Sequence, residues 1–147
     1  MRRLFRVTFV LLSMMSVSAV ATSAQGVGGR SSGQQDFELR QNFPNPFNPE
    51  TTIPFALNEG LFRDGRPAVV TIRIYNQLKQ LVASPVALRH PAGEGAPLNQ
   101  LEYTRSDVYE AFWDGRDSSG RQVASGVYFC QITVNGRSKV MRMFVTK

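Results

Sequence analysis

The chain has 147 residues, enough for one domain of ordinary size. Apolar residues make up 42% of it and Phe occurs 10 times, so it can bury a core and does not read as disordered. The formal charge of +6 invites a nucleic-acid reading, but four of the 17 basic residues (Arg2, Arg3, Arg6 and Arg30) precede Asp36, while all 11 acids lie at or after it. From Asp36 onward 13 basic residues face 11 acidic ones with no Lys/Arg run, which argues against nucleic acid as a partner.

Residues 1–24 read as a cleavable signal peptide. A basic start precedes an apolar stretch from Val7 to about Val20, and Ala19-Val20-Ala21 and Thr22-Ser23-Ala24 both suit a signal peptidase. Ser13, Ser16 and Ser18 interrupt the stretch, which is short for a membrane span of about 20 residues, so no transmembrane span is expected after cleavage. Export follows, to the medium or the cell surface, with the periplasm as the alternative. Residues 25–36 are rich in Gly, Ser and Gln and read as a flexible linker. The folded domain is expected over 37–147.

Gln41 to Pro49 opens the domain with Pro44, Pro46 and Pro49 set among Asn and Phe, a pattern that forbids a helix and favours extended backbone. Phe43 and Phe47 are expected to pin this segment onto an edge or end of the fold, where its prolines would blunt strand pairing. Period-two alternation then dominates. Ile53, Phe55 and Leu57 share one face, as do Val70, Ile72 and Ile74. No convincing amphipathic helix appears between them. Leu81 to Leu88 reads as a weak strand or two short ones, His90 to Asn99 as a Pro/Gly loop, and Leu101 to Tyr103 and Val108 to Trp113 as further short strands. Tyr128, Cys130, Ile132 and Val134 alternate up to Asn135-Gly136, a strong hairpin signal, and Met141, Met143 and Val145 line the returning strand. About seven strands joined by turns indicate an all-β, antiparallel Ig-like β-sandwich.

Residues able to support chemistry are few. Cys130 is the only cysteine, so no internal disulfide forms, and its place in a strand suits a small buried hydrophobe. His90 is the only histidine and, in its loop, is expected to be exposed. No nucleophile elbow, phosphate loop or metal-ligand spacing occurs; no catalytic residue, metal or cofactor is expected, and the chain does not read as an enzyme. Asp114, Gly115, Asp117 and Gly120 offer either a calcium loop or a structural turn. Arg116 beside the two carboxylates and the lack of a third acid favour the turn. Trp113 reads as a plug of the sandwich.

Four blocks carry a resemblance. Gln41–Leu57 (QNFPNPFNPETTIPFAL), Val70–Asn76 (VTIRIYN), Trp113–Ile132 (WDGRDSSGRQVASGVYFCQI) and Ser138–Lys147 (SKVMRMFVTK) resemble, in this order, the type A C-terminal sorting domains of the type IX secretion system. The pattern is also similar to the Ig-like domain of flagellar hook-capping proteins. The resemblance implies a domain recognised by outer-membrane secretion machinery, with Pro44, Asn45, Pro46, Phe47, Gly126, Tyr128, Lys139 and Lys147 as the positions that carry sorting or interaction. Gln77-Leu78-Lys79-Gln80 stands where that family has a glycine turn, and Pro85 to Tyr109 is longer than its counterpart. With only the linker between leader and domain, the module is expected to be both address and product. The other reading is a stand-alone structural or binding subunit that docks on a larger protein assembly.

Overall fold

A computed structural model describes residues 35–147; the expected signal peptide and all but the last two residues of the expected linker lie outside the described residues. Ten strands follow in chain order: β1 (Phe37–Leu39), β2 (Thr51–Leu57), β3 (Ala68–Tyr75), β4 (Leu81–Ala83), β5 (Val86–Leu88), β6 (Ala96–Pro97), β7 (Leu101–Tyr103), β8 (Asp107–Trp113), β9 (Gly126–Val134) and β10 (Arg137–Val145). A single 3₁₀ turn, Glu59–Phe62, separates β2 from β3. The number exceeds the seven or so legible in sequence because five strands have three residues or fewer, too short for alternation to register.

The strands form two antiparallel sheets. Sheet 1 runs β1-β2-β8-β5-β6 and sheet 2 runs β10-β9-β3-β4; β7 pairs with the first half of β3 and β4 with its end. Alternate side chains point to opposite faces of a strand, so the apolar sets of both sheets meet in one core. Ile53, Phe55 and Leu57 from β2 face Val70, Ile72 and Ile74 from β3, with Cys130, Ile132 and Val134 of β9 beside them, all at most 1% exposed. Each such side chain stabilises the fold by about 1.5–3 kcal/mol. The chain is an all-β, Ig-like sandwich.

Turn chemistry fixes the register. Asn135 and Gly136 take φ of 48° and 82° and close the two-residue hairpin between β9 and β10, whose twist suits the flanking strands. Asn135 Oδ1 also accepts the Val69 N–H at 2.8 Å, which ties the hairpin tip to β3. Between β3 and β4 no glycine is present. Asn76 Oδ1 accepts the N–H groups of Leu78 and Gln80, and Lys79 takes the left-handed φ of 59° that a glycine would adopt without strain.

Two expectations fail. Phe43 is 77% exposed, because its backbone pairs with Thr52 in the plane of sheet 1 and its ring then points outward; of the two rings only that of Phe47 is buried. His90 is buried rather than exposed. Its Nδ1 accepts the Ala92 N–H at 3.0 Å, its Nε2 donates to Glu102 O at 2.9 Å, and its ring meets Tyr103 edge-on at 4.6 Å. The loop turns inward because the imidazole satisfies backbone groups on both sides of it.

Candidate functional site

The Pro-rich segment leaves sheet 1 and ends on sheet 2. At its start, Phe43 and Thr52 exchange two backbone hydrogen bonds of 2.8 and 2.9 Å with β2. At its end, Phe47 N donates to Phe144 O at 2.9 Å and Phe47 O accepts from Thr146 N at 3.0 Å. Between them, Asn45 Oδ1 accepts the Phe144 N–H at 3.0 Å. β10 is an edge strand, and these three bonds occupy the outward backbone groups at its end, groups that otherwise invite another strand. The peptide bonds preceding Pro44, Pro46 and Pro49 are cis. Inside the bend, buried Asn42 donates to Pro44 O and to Thr51 Oγ1, and Thr51 donates to Pro44 O, so the polar atoms turned inward are satisfied.

Phe47 joins this segment to the second motif block. Its ring packs edge-on to Trp113 at 5.4 Å, and Trp113 packs on Tyr128 at 5.7 Å. Trp113 is 2% exposed, with its indole N–H satisfied by Arg116 O at 2.9 Å. The Tyr128 hydroxyl donates to Ala124 O, four residues back, in the manner of the tyrosine corner of Ig-like sandwiches. Gly115 has φ of 70°, and a Cβ there would stand 2.1 Å from Pro49 O, so the Trp-Asp-Gly turn and the Pro-rich segment touch through a gap that only glycine leaves.

The turn that follows is held by its own side chains. Asp114 Oδ1 accepts the Arg116 N–H, and Asp117 Oδ1 accepts from Ser119 N, Ser119 Oγ and Arg121 N. Arg116 donates to Gly120 O and Arg121 to Asp117 Oδ2. The Ser119 hydroxyl first, and then the Arg121 backbone N–H, hold the Asp117 carboxyl down to about 2. Both carboxylates are thus engaged by donors that a cation would have to displace. Among the described residues no group of three His, Cys, Asp or Glu side chains converges. Cys130 lies in the core opposite Ile74 and Met141, and burial pushes its thiol up to about 12, far from a reactive thiolate at neutral pH. Tyr103 is 3% exposed with no hydrogen-bond partner for its hydroxyl, and burial holds that group well above its ordinary value.

Most of the residues singled out by sequence therefore meet at one pole. Pro44, Asn45, Pro46 and Phe47 lie against the end of β10, and Gly126 at the start of β9 pairs with Val145. Tyr128 closes the aromatic row, the turn from Asp114 to Gly120 abuts it, and Lys147 follows directly after the bonded Thr146. Lys139 does not belong to this pole: it sits six residues before Val145, about 20 Å away along the strand. There its ammonium donates to Phe37 O at 2.7 Å and lies 5.0 Å from the Phe37 ring centre, tying β10 to β1. Asn42 and Leu98, buried at 2% and 0%, escaped the sequence reading, since a loop Asn and an isolated loop Leu show no periodicity.

Among the described residues no helix is long and apolar enough to cross a membrane. No protein-family model matches the chain, and no curated protein matches it either. Among solved structures it is similar to dimeric latent PorU from Porphyromonas gingivalis, with 22% identity, a TM-score of 0.52 and coverage of 75% of this chain and 9% of that one. PorZ of P. gingivalis, described as an essential bacterial surface component of the type-IX secretion system, gives 23% identity, a TM-score of 0.42 and coverage of 73% and 11%. The alkylpurine DNA glycosylase AlkC of Pseudomonas fluorescens gives 15%, 0.41, and 76% and 31%. The chain thus spans less than a third of each. What the comparison with PorU establishes is a shared fold over three quarters of this chain.

Proposed function

We propose that the module is a non-enzymatic export signal of the type IX kind, exported across the inner membrane and then recognised by outer-membrane secretion machinery. In this reading the recognised part is the pole built from Pro44–Phe47, Gly126, Tyr128 and the end of β10. One observation carries it. Two sequence blocks distant in the chain, the Pro-rich segment and the Trp-Asp-Gly turn, touch through Phe47–Trp113 and Pro49–Gly115, so these two motifs of the resemblance meet at one pole of the fold. The fold likeness to PorU supports it.

The test pairs export with intact mass. In a type IX-competent bacterium, Pro44→Ala together with Pro46→Ala should leave the protein in the periplasm, while the wild type reaches the surface or the medium. Unchanged export of a folded double variant would sink the sorting role of this segment. A stand-alone subunit on a larger assembly is the second reading, favoured by Val140 and Phe144, which stay 58% and 41% exposed on the outer face of sheet 2. Recovery of the protein with Lys147 retained in a stoichiometric complex would support that reading instead.

A further inference from the structure

Apart from Glu102 of β7, the charges of the two sheets are segregated. The strands of sheet 1 contain Glu38, Asp107 and Glu110 and no basic residue; β3, β4, β9 and β10 contain Arg73, Arg137, Lys139 and Arg142 and no acidic one. Two of the three acids of sheet 1 are matched, Glu38 by Arg40 and Glu110 by Arg89. On sheet 2, Arg137 pairs with Asp36 and Lys139 is taken up by Phe37. Arg73 and Arg142 have no acidic partner among the described residues.

Both arginines stand on the outer face of sheet 2, among apolar side chains. The register sets Tyr75, Phe129 and Arg142 in one row across β3, β9 and β10, and Arg73, Gln131 and Val140 in the next. Tyr75, Phe129 and Val140, with Lys79 and two glutamines, line a groove of about 450 Å³. At Tyr75 and Gln131 it continues into a smaller depression of about 170 Å³ towards Arg73. Glu102 of β7 is set opposite Val69, four residues and about 13 Å from Arg73 and six residues and about 20 Å from Tyr75, beyond a screening length of about 8–10 Å.

The geometry points to this outer face as a docking surface for a segment of a partner protein that is both apolar and acidic. Apolar side chains of the partner fill the groove over Tyr75, Phe129 and Val140, and its carboxylates meet Arg73, Lys79 and Arg142. A second copy is a poor occupant: a two-fold pair would oppose like charges, and most of the acid on its sheet 1 is already matched. An anionic lipid surface is also a poor match, since lipid-binding patches use about 4–8 clustered Lys or Arg and this face offers three around an apolar groove. The inference does not depend on the sorting role, because its test involves no export.

The probe is a short synthetic peptide alternating Glu with Leu and Phe, titrated into the purified isotope-labelled protein and followed by backbone amide shifts. A twin peptide with Lys for Glu and vesicles of phosphatidylglycerol serve as the other arms. The acidic peptide should shift amides of Arg73, Tyr75, Phe129, Gln131, Val140 and Arg142, and bind more weakly as salt is raised. Arg73→Glu with Arg142→Glu should weaken it by about tenfold or more. These side chains are exposed, so an unchanged melting temperature is expected; Lys79→Glu, in an exposed turn, serves if the double variant does not fold. Absence of binding, equal binding of the two peptides, shifts confined to sheet 1, or binding to the vesicles but not to the acidic peptide would each overturn the proposal.

Discussion

The Arg40–Glu50 connection and the Asp114–Ser125 connection lie at the same pole, and both are rich in turn-forming residues, but they are held by opposite means. The first is held by the rest of the molecule. Phe47 sits in the core, Asn45 and the Phe47 backbone take the edge of β10, and Asn42 is satisfied by Thr51 across the bend. The second is held largely by itself: Asp114, Asp117, Arg116, Ser119 and Arg121 bond within five residues of their own positions. A segment anchored by tertiary contacts transmits any loss to both sheets, whereas a self-bonded turn loses only its own order.

Four measurements test that contrast. Phe47→Ala should cost about 3–5 kcal/mol, the usual loss for a large buried aromatic, read as a lower denaturant midpoint. Gly115→Ala strikes the one place where the two connections meet. The left-handed backbone costs about 1–2 kcal/mol and overpacking against Pro49 about 1–3 more, so a loss of about 2–5 kcal/mol is expected. Asn45→Ala removes one hydrogen bond and should cost about 1 kcal/mol, with hydrogen exchange at Phe144 rising while Val134 stays protected. Asp117→Asn should have the smallest effect and one tied to pH. The folded-state value of about 2 lies below the ordinary 3.8, so the carboxylate contributes stability above about pH 4 and loses it as pH falls towards 2. The variant and wild type should therefore converge in stability on the acid side. If Asp117→Asn destabilises as much as Phe47→Ala, the contrast between the two connections fails.

The same division explains what the sequence disclosed. Alternation in β2, β3, β9 and β10 placed the core, because a half-buried strand must repeat every second residue. The Asp-Gly and Asn-Gly turns were legible because Asp and Asn suit tight turns and their glycines take positive φ. Phe43 and Phe47 flank Pro44-Asn45-Pro46 symmetrically and look alike in sequence; only pairing with β2 or β10 decides that one ring is exposed and the other buried. His90 reads as a loop histidine until Glu102 is brought beside it by β7 pairing with β3. The pole was legible as a list of motifs and illegible as a surface, since contacts between residues so far apart leave no local signal.

The bond between Asn45 and Phe144 spans 99 residues, and Lys139 reaches Phe37 across 102. Closing loops of this length comes before most of their reward, so folding should be slow for a domain of this size, with the seam between the opening segment and β10 among the last parts to form. Anything that keeps the first and last segments apart should therefore hold this seam open.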